Sequence, residues 1–263
     1  MKIGCGVQFD EISTARDLGF DFVELRGKAV QQLSPRLFED LVTNLIACQM
    51  PCLSLNAYCP PDIVIAGVNY DRQKAQDYAR ALADRAKLLG VRKVGIGSPM
   101  SRQLPHGFDL KLAWKQAVEF TADAANIFGA EGIQISFEAL GGCFCNFINH
   151  VDTAVSLIQE LSDFSVGLVL DFYNMEKSDE ADLPLNAFSH LISHVHVSDD
   201  LGSCTQRSFL LPEKYLEHTA RIKRLMGAGY NDTLSLEIDI PLDERAGQSL
   251  KFLQSLCRTP NQS

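Results

Sequence analysis

A single tryptophan, no apolar run near the roughly 20 residues that span a bilayer, no block of like charge and no Gly/Ser linker already narrow what this chain can be. The opening MKIGCGVQFD turns polar almost at once, so it lacks the basic and apolar stretches of a signal peptide, and the expectation is a cytoplasmic protein with no membrane partner. Basic residues are in deficit: 24 Lys and Arg face 33 Asp and Glu, for a formal charge of −9. With no Lys/Arg cluster to release counterions, a nucleic acid is excluded as the expected partner. The eight cysteines are scattered through a long chain rather than concentrated in a small one, so free thiols are expected. Cys143 and Cys145 in GGCFC lack the second Cys/His pair of a structural zinc site and read as ordinary loop residues.

What is present is apolar material, 46% of 263 residues, laid out in a repeating order. Short β-branched or apolar runs at residues 2–9, 20–26, 51–58, 93–98, 133–139, 165–171, 192–198 and 233–239 read as strands, with helical patterns between them. Ser34 before Pro35 is an N-cap with proline at the first helical position, followed by Leu37, Leu41 and Leu45. Residues 71–89 put Ala75, Tyr78, Ala79, Leu82, Ala86 and Leu89 on one stripe that stops at Gly90. Residues 212–226 end before Gly227 and Gly229, and a last helix carries Leu242, Ala246, Leu250, Leu253 and Leu256. Trp114 falls within a helical pattern and reads as wall packing. The first connection is short, and the segment after the sixth strand is poorly patterned. Strict alternation of strand and helix requires parallel strands with right-handed crossovers, and eight repeats at this length favour one α/β domain over residues 1–263, a closed (β/α)8 TIM barrel.

Four runs end in a polar side chain: Glu138 in QISFEAL, Asp171 in SVGLVLD, His196 in ISHVHVSD and Glu237 in TLSLEID. Strand alternation sends one parity inward and the other outward, so in the last run Leu234, Leu236, Ile238 and Ile240 oppose Ser235, Glu237 and Asp239. Each residue alone has a plain reading, a rim salt bridge for a glutamate or the N-cap of the next segment for Asp171. His194 shares the parity of His196 at greater depth and reads as a hydrogen-bonded core histidine. As a set on strands five to eight, at the ends where barrel chemistry gathers, they point elsewhere. Three carboxylates brought together without a cation would repel one another, and one divalent ion removes that conflict. Carboxylates with one imidazole suit Mn²⁺, the leading expectation, as well as Mg²⁺ and Co²⁺, and leave Zn²⁺ open.

GFDFVELR, FEALGGCFCNFIN, VLDFYNME, SHVHVSD and LSLEI, in that order and spacing, resemble the blocks of the xylose isomerase-like barrel superfamily of sugar phosphate isomerases and epimerases, and within it the ketose 3-epimerases. The likeness covers nearly the whole chain. It implies that Glu138, Asp171, His196 and Glu237 hold one divalent metal and that Glu138 and Glu237 serve as the acid/base pair. On a ketose or sugar phosphate, such a pair removes and returns a proton beside the carbonyl through a metal-stabilised enediolate. Return to the opposite face epimerises; return to the other carbon isomerises. The chain also departs from that pattern. Gly141, Gly142 and Phe144 replace a common Asn, Arg and Glu, Asn174 replaces a common His, LLPE replaces a Gly-rich turn, and Gly202 stands where an Arg usually grips substrate. Arg207 is the candidate for that missing cation, and Asn174, Asn56, Glu24 and Asp199 complete the expected substrate-binding set, with Arg26 and Ser98 nearby. Glu24 and Arg26 share parity and are expected to pair.

Two other functions remain on the same barrel, a keto-polyol dehydratase and a noncatalytic sugar-binding protein that kept its ligands. DNA-repair endonuclease action is disfavoured by the acidic charge and by Asn56 and Ser98, which stand where further metal-binding histidines are needed. The expected partner is a small sugar or sugar phosphate, and the outer helical faces leave homo-oligomerisation open.

Overall fold

The structure, a computed structural model, describes residues 1–257, so residues 258–263 of the single domain expected over 1–263 lie outside the described residues. Eight parallel strands close into a ring: β1 (Lys2–Gly6), β2 (Phe22–Arg26), β3 (Cys52–Asn56), β4 (Lys93–Ile96), β5 (Gln134–Glu138), β6 (Val166–Asp171), β7 (Ile192–Val197) and, after a small ribbon, β10 (Thr233–Leu236). The ribbon pairs β8 (Asp199–Asp200) with β9 (Arg207–Ser208) in antiparallel fashion above the barrel. Closure is made by β10, which pairs with β7 on one side and β1 on the other. All eight expected strands are present, and most end earlier than the apolar runs because the backbone turns into loops at the mouth.

The helices α1 (Ile12–Leu18), α2 (Gly27–Gln32), α3 (Pro35–Ala47), α4 (Arg72–Leu88), α5 (Leu110–Ala130), α6 (Val151–Glu160), α7 (Phe172–Lys177), α8 (Tyr215–Gly227) and α9 (Glu244–Cys257) surround the ring. Ser34 caps α3 by accepting from the Leu37 N–H, and Asp71 caps α4 by accepting from Lys74. Gly90, at φ +74°, ends α4 in the left-handed conformation. On α3 the buried stripe is Phe38, Leu41 and Leu45, whereas Leu37 is 54% exposed. A spacing of four and four drifts, leaving Leu37 about 80° from Leu45 around the helix. Leu242 likewise precedes α9 rather than lying in it. Trp114 packs against the core from α5 and donates from its indole to Glu160.

The outward parity of the strands carries the apolar core against the helices: Ile3, Val23, Leu25, Leu55, Val94, Ile96, Ile135, Phe137, Leu168, Leu170, Val195, Leu234 and Leu236 are all buried. The inward parity is mostly polar or small, with Phe22 and Val169 as apolar exceptions. Phe22 fills the space that Gly4 leaves open, Ser136 and Ser193 share a hydrogen bond of 2.6 Å, and the Lys93 ammonium reaches the Thr233 hydroxyl at 3.2 Å. An interior of this kind lets charged side chains stand at its upper end with polar neighbours beneath them.

Candidate metal and active site

Glu138 and Asp171 are the last residues of β5 and β6, and His196 is the next to last of β7. Glu237 follows β10 directly, its N–H still donating to the Val197 carbonyl at 3.0 Å. One potential ligand atom from each of the four lies within 4.8 Å of the others. The local sequence explains the aim of each. Asp171 uses Oδ1 to cap α7 through the Tyr173 N–H at 2.8 Å and keeps Oδ2 for the site, so capping and ligation use different oxygens. Glu138 faces Gly97, where a Cβ would stand 2.5 Å from its Oε2. Its main-chain carbonyl accepts from the fully buried Arg102 at 2.8 Å.

His196 is held from behind. Its Nε2 lies 3.0 Å from Glu24 Oε2, while Nδ1 faces Glu138 Oε1 at 3.5 Å and Glu237 Oε2 at 3.3 Å. That Nδ1 is buried and has no hydrogen-bond partner. Glu24 Oε1 also lies 3.3 Å from His194 Nε2, and His194 Nδ1 meets the Thr233 hydroxyl at 2.8 Å, so His194 is the core histidine its depth implied. Glu24 and Arg26 do not pair. Barrel closure turns Glu24 across the interior to the two imidazoles, and Arg26, one inward position higher, pairs with Asp239 at 2.7 Å.

These neighbours set the charges. Burial raises Glu24's pKa, but the two imidazoles outweigh it and hold the carboxyl well below its usual range. Burial lowers that of His196, yet Glu24, Glu237 and Glu138 together hold it well above. His194, where burial dominates, is lowered. Glu237 is pushed up to about 7, chiefly by burial, with Arg207 and His196 opposing and Glu138 and Asp171 adding.

The expected substrate-binding residues divide. Asn56 lines the cleft and donates to Glu237 Oε1 at 2.9 Å. Asn174 braces two candidate ligands, donating to Glu138 Oε1 at 3.1 Å and Asp171 Oδ2 at 2.7 Å. Arg207 lies over the site, with Nη2 2.7 Å from Asp171 Oδ2 and Nη1 2.8 Å from Glu237 Oε2. Asp199 is not in the site: its carboxylate accepts from His218 Nε2 at 2.9 Å and the Leu211 N–H at 2.7 Å. From His196 the parity runs inward, outward, inward, outward, so Ser198 meets Arg207 and Asp199 turns to α8. Ser98 is engaged as well, its hydroxyl accepting from the Cys59 N–H at 2.9 Å.

Several contributors escape a reading of motifs. Gly97 and Arg102 act on Glu138 from the loop after β4, and Tyr173 lies under the Arg207 guanidinium at 4.8 Å. Cys143 and Cys204 form a disulfide with a Cα separation of 6.5 Å, correcting the expectation of free thiols for these two. They are 61 residues apart in sequence, but their loops both cap the barrel mouth. Cys5, Cys48, Cys52, Cys59 and Cys145 are free and buried.

The cleft beside the four side chains has a volume of about 240 Å³ and is lined by Glu24, Asn56, Glu138, Phe144, Arg207 and Glu237, among others. The donor set fits a divalent metal: three carboxylates, an unpartnered imidazole nitrogen aimed among them, and a carboxylate behind the imidazole, the usual support of a ligating histidine.

Residues 12–256 match the family model of the xylose isomerase-like TIM barrel. Curated proteins contain no match to the sequence. Among solved structures, the chain is similar to 3-keto-D-glucoside 4-epimerase from E. coli, with a TM-score of 0.77 and 18% identity over 97% of this chain and 99% of that one. It is similar to D-psicose 3-epimerase from Clostridium cellulolyticum H10, with a TM-score of 0.76 and 16% identity over 98% and 99%. AP endonuclease, family 2, from Brucella melitensis is similar too, with a TM-score of 0.73 and 19% identity over 96% and 98%. At such identities the likeness is one of fold.

Proposed function

Because the chain belongs to the xylose isomerase-like TIM barrel family, we propose that it is a divalent-metal-dependent isomerase or epimerase of a ketose or sugar phosphate. The observation that carries this reading is the convergence of Glu138 and Glu237 on the unpartnered His196 Nδ1, at the edge of a cleft of sugar size. Glu138, Asp171, His196 and Glu237 would hold the ion, whose chemistry is to polarise a carbonyl and stabilise the charge that develops when the neighbouring carbon loses its proton. The protein supplies the proton transfers. Glu237 is the group that accepts and returns the proton, with one of its oxygens fixed by Asn56. Glu138 is the partner on the opposite side, steadied by Asn174 and by Arg102 at its carbonyl. The epimerase neighbours share this fold, which supports the class of chemistry and leaves the sugar to experiment. Phe144 lines the cleft where a polar group is common, so the substrate meets a ring there.

The test is solvent-deuterium exchange over a panel of ketoses and phosphorylated ketoses with Mn²⁺ or Co²⁺ supplied, followed by mass spectrometry and NMR. Deuterium at the carbon beside the carbonyl is expected, and Glu237→Gln should abolish it while leaving the fold intact. Exchange retained in Glu237→Gln sinks that residue's acid/base role. An unsaturated product would identify a dehydratase instead, and metal uptake with no exchange on any sugar would favour a noncatalytic barrel.

A further inference from the structure

The position of Arg207 has no counterpart in the proton chemistry. Its guanidinium sits on Asp171 Oδ2 and Glu237 Oε2, the oxygens left for a metal once Oδ1 caps the Tyr173 N–H and Oε1 accepts from Asn56, and the residue is only 6% exposed. The contact with Glu237 Oε2, at 2.8 Å, lacks the alignment of a hydrogen bond, and that oxygen has no hydrogen-bond partner, its other charged neighbour being His196 Nδ1 at 3.3 Å. Charge rather than directed bonding holds the two together. The backbone of Arg207 is fixed: its N–H donates to Asp239 Oδ2 at 3.1 Å and its carbonyl accepts from the Asp239 N–H at 3.1 Å. The side chain has somewhere to go. Its guanidinium lies over two rings, Tyr173 at 4.8 Å and Phe144 at 5.4 Å, and Phe144 lines the open cleft.

We propose that Arg207 is a tethered counter-cation that exchanges with the divalent ion: it neutralises Asp171 and Glu237 in the metal-free protein, and metal binding displaces it across the Tyr173 and Phe144 rings toward the cleft. A divalent ion and a guanidinium cannot share the same two buried oxygens without close like-charge repulsion. The face of an aromatic ring, by contrast, accepts a guanidinium at many positions with little directional preference. The backbone pins confine the movement to the side chain. Arg207 thus opposes metal binding while the site is empty of metal and faces the substrate cleft once it is filled. The inference rests on the reading of the four residues as metal ligands.

Calorimetric titration of Mn²⁺ into the full chain tests it. Arg207→Gln, which removes the competing charge, should bind Mn²⁺ at least tenfold more tightly than the wild type, and Arg207→Lys, which keeps the charge, should stay near the wild type. In the wild type, arginine side-chain NMR with Zn²⁺ should record one buried, slowly rotating guanidinium becoming mobile as the ion binds, a readout independent of any variant. Arg207→Gln binding equal to or weaker than wild type overturns the exchange, as does Arg207→Lys binding as tightly as Arg207→Gln, or a guanidinium signal unchanged at saturation. If the wild type takes up no metal, or Glu237→Gln takes it up undiminished, the metal reading itself falls and the exchange with it.

Discussion

At the scale of single residues, His196 shows how one side chain is made ready by its neighbours. Glu24 fixes its Nε2 and thereby aims Nδ1 at the carboxylates. Glu24→Gln should therefore weaken metal binding by roughly 10- to 100-fold, as loss of a supporting carboxylate does elsewhere. Calorimetry checks this; a lowered melting temperature with unchanged affinity would reduce Glu24 to a packing role. Protonation at the site has a definite sign. Glu237 holds a proton up to about 7 in the folded chain, against 4.5 as its ordinary value, so its contribution to stability is complete below the lower value and lost as pH rises through the upper. His196, also raised, works in the same direction at its own higher pKa, while Glu24, lowered, contributes above 4.5 and loses its contribution in acid. A metal must displace the Glu237 and His196 protons to use those atoms. The rise in melting temperature caused by Mn²⁺ should accordingly grow as pH climbs through 7, and a pH-independent increment would contradict these protonation states.

Elements place these residues, and the loop after β4 places more than its sequence suggests. Gly97 leaves room for Glu138, and a methyl group there would collide with Oε2 at 2.5 Å. Gly97→Ala should cost the metal site roughly tenfold or more in affinity while the melting temperature changes little, since the barrel wall is untouched. An affinity unchanged by the methyl group would mean that Glu138 does not need that position. The strands themselves were legible in the sequence because their apolar parity faces the helices, and Glu138, Asp171, His196 and Glu237 stood out against it at the ends. Gly97 was not, because a glycine after a strand looks like any turn. Nor was the misplacement of Asp199, which needed the parity beyond His196 to continue past the strand end into β8. The pairing of Glu24 with imidazoles rather than with Arg26 depends on which strands face one another across a closed ring, a relation that no local pattern encodes.

The whole molecule is a ring of eight strands with its mouth spanned by a covalent bond. The disulfide between Cys143 and Cys204 was illegible for the same reason as the Glu24 contact: 61 residues and several elements lie between two cysteines that only the finished fold brings together. Thiol titration of the denatured, unreduced chain should count six, rising to eight after reduction. Eight from the start would mean that the bond does not form. Cys143→Ser should lower stability under nonreducing conditions by up to about 4 kcal/mol, the loop-entropy expectation for a closure of this length, as read from denaturant midpoints. No helix among the described residues is long and apolar enough to cross a membrane. Closure of the ring has one more consequence. Glu237 comes immediately after β10, the strand whose pairing with β1 completes the circle. A nascent chain emerging from its N-terminus therefore has three of the four donors but not the fourth until the seam is stitched. On the metal reading proposed above, an ion held by all four would be a seal set on a finished molecule rather than a template around which one is built.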